Sequence, residues 1–262
     1  MILGMIYYSM MALLPQGSLY LFTNDQIEIG LMALPNGCVQ AVFGVIGPAL
    51  IGKIKRLRLQ IIFTLVLQKA FTAALAGAVD NKTAWMAIQA FCVGPFVLVV
   101  LACYVVAGLN MPLRYLGLAS GLIGTFRSMG GSVGNAVFST ILQGVIRRDL
   151  GPEIASAALK TGFDPADLDS LIPATFNAIL GIPGAFAAVP GTNPTVEAAA
   201  IEAFRKVYGR AFSMVFYATI PFGVIVIILA FFINDLSVYL TNHTAVHMQK
   251  EVMNGKGSGQ VR

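Results

Sequence analysis

With 57% hydrophobic and only 11% charged residues, this chain of 262 residues lacks the polar surface of a soluble globule, which carries roughly 25% charge. Its net charge of +5 comes from bases that are nowhere gathered with aromatics in a polar stretch, so it reads as a membrane-orientation signal and excludes nucleic acid as a partner. Cys38, Cys92 and Cys103 each lie in an apolar run without metal-type spacing; they are read as small buried hydrophobes, and neither a disulfide framework nor a metal or cofactor is expected.

The remaining class is an all-α polytopic membrane protein. A bilayer core is crossed by ~20 predominantly apolar residues, and six segments meet that length. The first, 1–22, opens "MILGMIYYSMMALL" and has no basic leader, so it predicts a span and not a signal peptide. Within it Pro15 frees a carbonyl and bends the helix, and Gln16 follows as a candidate cavity group. The second, 29–51, places Pro35, Asn36 and Gln40 together, with Asn36 and Gln40 four apart on one helix face. The third, 60–79, carries Lys69 near its middle, on a stem long enough to snorkel. The fourth, 84–109, carries Gln89, and its Pro95 predicts a bend.

The fifth span, 116–146, contains "FRSMGGSVGN". Arg127 stands near its centre, where a lone arginine costs roughly 2.5 kcal/mol on insertion scales. Relief must come from a wet cavity, an anionic ligand, carbonyls, or a carboxylate outside these spans. Gly117 with Gly121, Ser120 with Gly124, and Gly130 with Gly134 repeat a small-x-x-x-small spacing, and Gly131 adds to it. Such spacing lets helix backbones approach closely, so these glycines predict a packing face beside Arg127. No Asp or Glu falls within any of the six segments, so a proton-coupling carboxylate has to come from elsewhere.

Residues 147–206 read as a long loop with amphipathic helices. In "DPADLDSLIPATFNAIL" Asp164 caps and Pro165 opens a helix; in "NPTVEAAAIEAFRKVY" Asn193 and Pro194 do the same, and that helix should run straight into the sixth span, 207–233. A polar, Gly-rich tail, 234–262, follows. Lys53, Lys55, Arg56 and Arg58 after the second span, and Arg114 after the fourth, put those joints and both termini on the cytoplasmic side. The 147–206 loop then falls on the opposite side. An enzyme would need a cluster of His, Asp, Glu or Cys, whereas His243 and His247 stand without companions on the tail.

Several strings carry a resemblance. "GMIYYSMMALLPQGSLYLFT", "IGLMALPNGCVQAVFGVIGPAL" and "GLASGLIGTFRSMGGSVGNAVFSTIL" are similar to the first, second and fifth helices of the C-terminal half of the fungal trichothecene efflux pumps. These belong to the major facilitator superfamily, among the fourteen-helix drug:proton antiporters and near the siderophore-iron transporters. The resemblance is strongest over 1–52 and 111–146. It implies that the first, second, fourth and fifth spans line a cavity, with Arg127, Gln16, Asn36, Gln40 and Gln89 toward a small-molecule substrate. It implies alternating-access efflux of small organic toxins or drugs, proton-coupled in the full-length protein, with siderophore-iron transport or a non-transporting accessory half-bundle as alternatives. It also implies that this chain is a fragment whose N-terminal half-bundle carries the coupling acid and the main signature motif. The expected location is the plasma membrane, with a vacuolar or vesicular membrane as the second choice.

Overall fold

Apolar runs punctuated by proline, glycine and short polar joints become helices of very unequal length. The structure, a computed structural model, describes residues 1–54, 56–110 and 113–232. Its helices are α1 (Ile2–Leu21), α2 (Gln26–Ile54), α3 (Leu57–Leu75), α4 (Lys82–Val93), α5 (Phe96–Asn110), α6 (Leu116–Lys160), α7 (Leu168–Ile179) and α8 (Pro194–Phe231), with single 3-10 turns at Leu113–Tyr115 and Pro165–Asp167. No strand occurs among the described residues. Lys55, the end of the expected sixth span and the tail with His243 and His247 lie outside them.

The fourth expected span is a broken rod. Asn81 starts α4 by accepting from the backbone N–H groups of Thr83 and Ala84 at 3.1 and 3.2 Å. Pro95 then offers no N–H and crowds the preceding turn, so α4 stops at Val93 and α5 begins at Phe96. Prolines 15, 35, 48, 152, 173 and 221 lie inside continuous helices.

The fifth expected segment differs in two ways. It does not stop at 146: α6 is 45 residues long in all and runs to Lys160. At 1.5 Å per residue that is roughly 68 Å, about twice a bilayer core. The continuation is held because Ile154 and Ala158 are fully buried and because its charges reach α8. Arg210 lies 3.7 Å from Asp149, and Lys206 lies 2.7 Å from Glu153. Residues 147–160 are therefore helical, and a turn follows at Thr161. The first half of α6 is also not among the five helical stretches long and apolar enough to cross a membrane, which are Ile2–Leu21, Gln26–Ala49, Leu57–Leu75, Lys82–Gly108 and Pro194–Phe231. Glycine, serine and Arg127 lower its hydropathy.

Asp164 accepts from the Ala166 N–H at 3.0 Å and opens the turn that leads into α7. Pro194 opens α8, which runs unbroken for 38 residues. α1 packs along both α6 and α8; α3 packs on α8 and α4; α2 packs on α4 and α5. The main core is an aromatic column around Trp85, Phe138, Phe204, Phe212 and Phe216, all fully buried. Trp85 lies over Gly17, where a Cβ would come within 2.7 Å of the ring, and its indole N–H donates to the Ser18 hydroxyl at 3.2 Å. A smaller core joins Leu57, Ile61 and Leu65 of α3 to Val99 and Ala102 of α5 and Val226 and Ala230 of α8.

Candidate functional site

The site is built on the seam between α1 and α6. A Cβ added to Gly4 would fall on the backbone carbonyl of Arg127, and one added to Gly130 would fall on the carbonyl of Met1. One at Gly134 would meet the Met5 carbonyl and the Ser9 hydroxyl, and one at Gly131 would come within 2.7 Å of the Tyr8 ring. Only hydrogen fits at these positions, so the two backbones touch. Ser9 turns its hydroxyl back to the Met5 carbonyl at 2.6 Å, which leaves its outer surface small.

This contact sets where Arg127 sits. Its backbone is pressed against Gly4, and its guanidinium carbon lies 5.8 Å from the centre of the Tyr8 ring. The Nε atom is buried and makes no hydrogen bond among the described residues. A cation over an aromatic face gains about 0.5–2 kcal/mol. A lone arginine at mid-bilayer costs about 2.5–3.5 kcal/mol. Tyr8 offsets only part of that cost, so the group remains short of acceptors. Beside it is a cavity of about 90 Å³ walled by Leu3, Phe96, Val99, Cys103 and Ile123.

Tyr7 connects this seam to α2. Its ring stacks on Phe96 of α5 with centroids 3.9 Å apart and meets Tyr8 edge-on at 5.2 Å. Its hydroxyl donates to Gln40 Oε1 at 3.4 Å; Gln40 in turn donates to Asn36 Oδ1 at 3.1 Å. The amide nitrogens of Asn36 and Gln40 approach the Met11 sulfur at 3.6 and 3.9 Å. Helices α6, α1 and α2 thus supply one connected row: Arg127, Tyr8, Tyr7, Gln40, Asn36. Its chemistry is aromatic faces, amide groups and one cation, with no acidic member.

The sequence-predicted residues divide. Arg127, Asn36 and Gln40 are joined through Tyr7 and Tyr8. Gln89 is elsewhere: it is buried and donates to the Met32 carbonyl, tying α4 to α2. Gln16 is exposed on α1 and takes no part in the row. The expected packing glycines divide as well. Gly130, Gly131 and Gly134 meet α1, but a Cβ at Gly117, Gly121 or Gly124 would meet nothing within 4 Å among the described residues. Their spacing is the same; what differs is that no described atom stands in contact range on their side.

Sequence reasoning missed Tyr7, Tyr8, Met11 and Phe96. The signal available was the "YYSMM" string, which puts two phenols and two soft thioethers in one apolar span. It also missed Gly4, the α1 half of the seam. Lys69 sits apart, buried between α3 and α8 with its stem across Gly223; its ammonium has no hydrogen-bond partner among the described residues.

Comparison with known proteins places the chain in a family. The family model for the fungal trichothecene efflux pump matches residues 1–260. Among curated proteins, "Trichothecene efflux pump TRI12" of Fusarium sporotrichioides is 28% identical over 151 residues, a stretch covering 55% of this chain and 25% of that relative. The matched stretch is thus only a quarter of the relative's length. No solved structure matches. The chain is an all-α integral membrane protein, and it belongs to the fungal trichothecene efflux pump family.

Proposed function

We propose that this chain forms one half-bundle of an efflux transporter that moves small organic toxins or drugs by alternating access. The observation that carries the reading is Arg127. It is fixed by backbone contact at the α1–α6 seam, faces a cavity with its Nε unpartnered among the described residues, and lies in a row with Tyr8, Tyr7, Gln40 and Asn36. Aromatic faces accept the apolar body of a small organic compound, and the guanidinium and amides donate to its oxygens. Trichothecene is the substrate in the relative's name, and the family assignment makes it the first compound to test here.

A second half-bundle completes the transport path. The glycine edge at Gly117, Gly121 and Gly124 is open and fits a close helix partner. The five apolar stretches and the Gly-rich start of α6 would then make six crossings, with the plasma membrane as their location. Since the apolar cores of these crossings hold no carboxylate, proton coupling would use an acid of the partner half.

The test is accumulation of a trichothecene in cells making the full-length protein. These cells should retain less of it than cells lacking the protein. Gln40→Leu, which breaks the row without touching the α1–α6 seam, should raise retention at equal protein level. Equal retention with and without the protein would leave an accessory half-bundle as the reading.

A further inference from the structure

A second recess lies away from the seam, on the outer flank of the bundle between α2, α3 and α5. Its volume is about 320 Å³, room for on the order of ten groups of about 30 Å³ each. Its walls are almost wholly apolar: Phe43 of α2; Leu59, Phe63 and Leu67 of α3; and Leu98 of α5, with Pro95 just before it. Phe63 is 69% and Leu59 54% exposed, so the recess opens outward and not into the bundle.

The chain next to two of its lining residues is cationic. Ile54 and Leu59 both line the recess, and the chain between and beside them carries Lys53, Arg56 and Arg58. Lys53 and Arg56 are exposed, and none of these three forms an ion pair among the described residues. Arg58 rests its guanidinium 5.9 Å from the Phe231 ring. Arg56 is also the N-cap of α3 and gives it no side-chain hydrogen bond. The first-turn N–H groups of α3 therefore add the positive end of a 19-residue helix to the same stretch. No Asp or Glu occurs from Ile29 to Val79.

We propose that this recess is a binding site for an acidic phospholipid, with one acyl chain in the slot between α3 and α5 and the phosphate at Lys53, Arg56 and the α3 N-terminus. The commitment to a lipid follows from the pairing of the two parts. A free phosphate would use only the cationic stretch, and a neutral lipid only the slot. A protein segment would need acidic groups at one end and a run of apolar side chains to fill the slot. An acidic phospholipid supplies both features in one molecule. The site is separate from the Arg127 row, and the inference does not rest on the transport reading.

The test uses the chain purified in detergent and titrated with phosphatidylglycerol or phosphatidylcholine of identical acyl chains, with bound lipid counted by native mass spectrometry. Phosphatidylglycerol should bind more tightly, with a preference of about fivefold per base engaged. Arg56→Gln and Lys53→Gln, both at exposed positions, should each reduce that preference without loss of folded protein. Leu67→Trp should block the slot and weaken both lipids; if it does not fold, Leu59→Trp at the exposed mouth serves the same purpose. Glycerophosphate should compete poorly. Equal binding of the two lipids, equal competition by glycerophosphate, or retention untouched by filling the slot would each overturn the proposal.

Discussion

The two halves of α6 are held by opposite chemistry. In its first half the helix meets α1 through Gly4, Gly130, Gly131 and Gly134, with carbonyls where side chains would otherwise stand. In its second half it meets α7 and α8 through large side chains and charges: Ile154 and Ala158 beside Leu171 and Phe204, with Asp149 and Glu153 reaching Arg210 and Lys206. Each chemistry suits a different solvent. Between apolar helices in lipid, burial provides no drive, so contact must be close and small residues serve it. Where a surface would otherwise face water, burying a Phe or Leu gains about 1.5–3 kcal/mol. Phe204, Tyr208 and Tyr20 build an aromatic core at that end, with Phe204 stacked on Tyr208 at 4.3 Å and Tyr208 4.7 Å from Tyr20. One helix thus carries a glycine seam that fixes Arg127 and a side-chain clasp that anchors it.

The largest expected effect comes from putting bulk into the seam. Gly130→Leu would drive a side chain into the Met1 carbonyl, backbone that cannot step aside, so folded yield should fall to a small fraction of the parent on size-exclusion chromatography in detergent. Gly117→Leu, the same change on the same helix where nothing described lies opposite, should leave yield within about twofold, an effect of under 0.5 kcal/mol. Similar losses from both would erase the distinction between the two glycine groups.

The clasp should break differently. Phe204→Ala empties a fully buried site and should cost about 3–5 kcal/mol locally. Because the loss lies at the far end of α8, limited proteolysis should speed up in α7 and the start of α8, while the α1–α6 seam stays protected. Uniform loosening of the whole bundle would show that the two regions are one cooperative unit.

The smallest effect is electrostatic. The Arg148 side chain, bonded to Asp149 at 2.7 Å, holds that carboxyl below the usual carboxylate range, and Lys206 does the same to Glu153. Groups with depressed folded pKa values add stability above the unfolded carboxylate range of about 4 and lose it as pH falls through their folded values. Protection of the clasp from protease should therefore decline slightly below about pH 4 and should be screened by salt. Both carboxylates are on the surface, so a steep loss near neutral pH would contradict the assignment.

Much of this is legible in the amino-acid sequence. Asn193 and Pro194 mark the start of α8, and the apolar content after them carries the helix into the last crossing. Arg127 declares itself by being a charge in an apolar, glycine-rich run. The end of α6 is not legible, because "RRDLGPE" has the composition of a loop and is kept helical by ion pairs to α8, more than fifty residues away in sequence. Pro95 predicts a bend, and the regular helix is interrupted there for Gly94 and Pro95 alone, with Gly94 still in helical conformation. The glycine pattern shows that close packing is available on α6 but cannot show where, since only the opposing helix decides that. The polar row is half legible: Asn36 and Gln40 share a face by spacing, whereas Tyr7 and Tyr8 look like ordinary apolar filler until Phe96 and Arg127 are seen against them.

The central claim is that the seam exists to hold Arg127 toward a substrate path. Its most direct test is export per folded molecule in the full-length protein carrying Arg127→Ala or Arg127→Lys. The α1–α6 contact runs through the Arg127 backbone, so both variants should insert and fold. Alanine should abolish export, and lysine, which keeps the charge but loses the planar fork, should leave it strongly impaired. Normal export by Arg127→Ala, or loss of folded yield in both variants with unchanged activity per remaining molecule, would contradict the account.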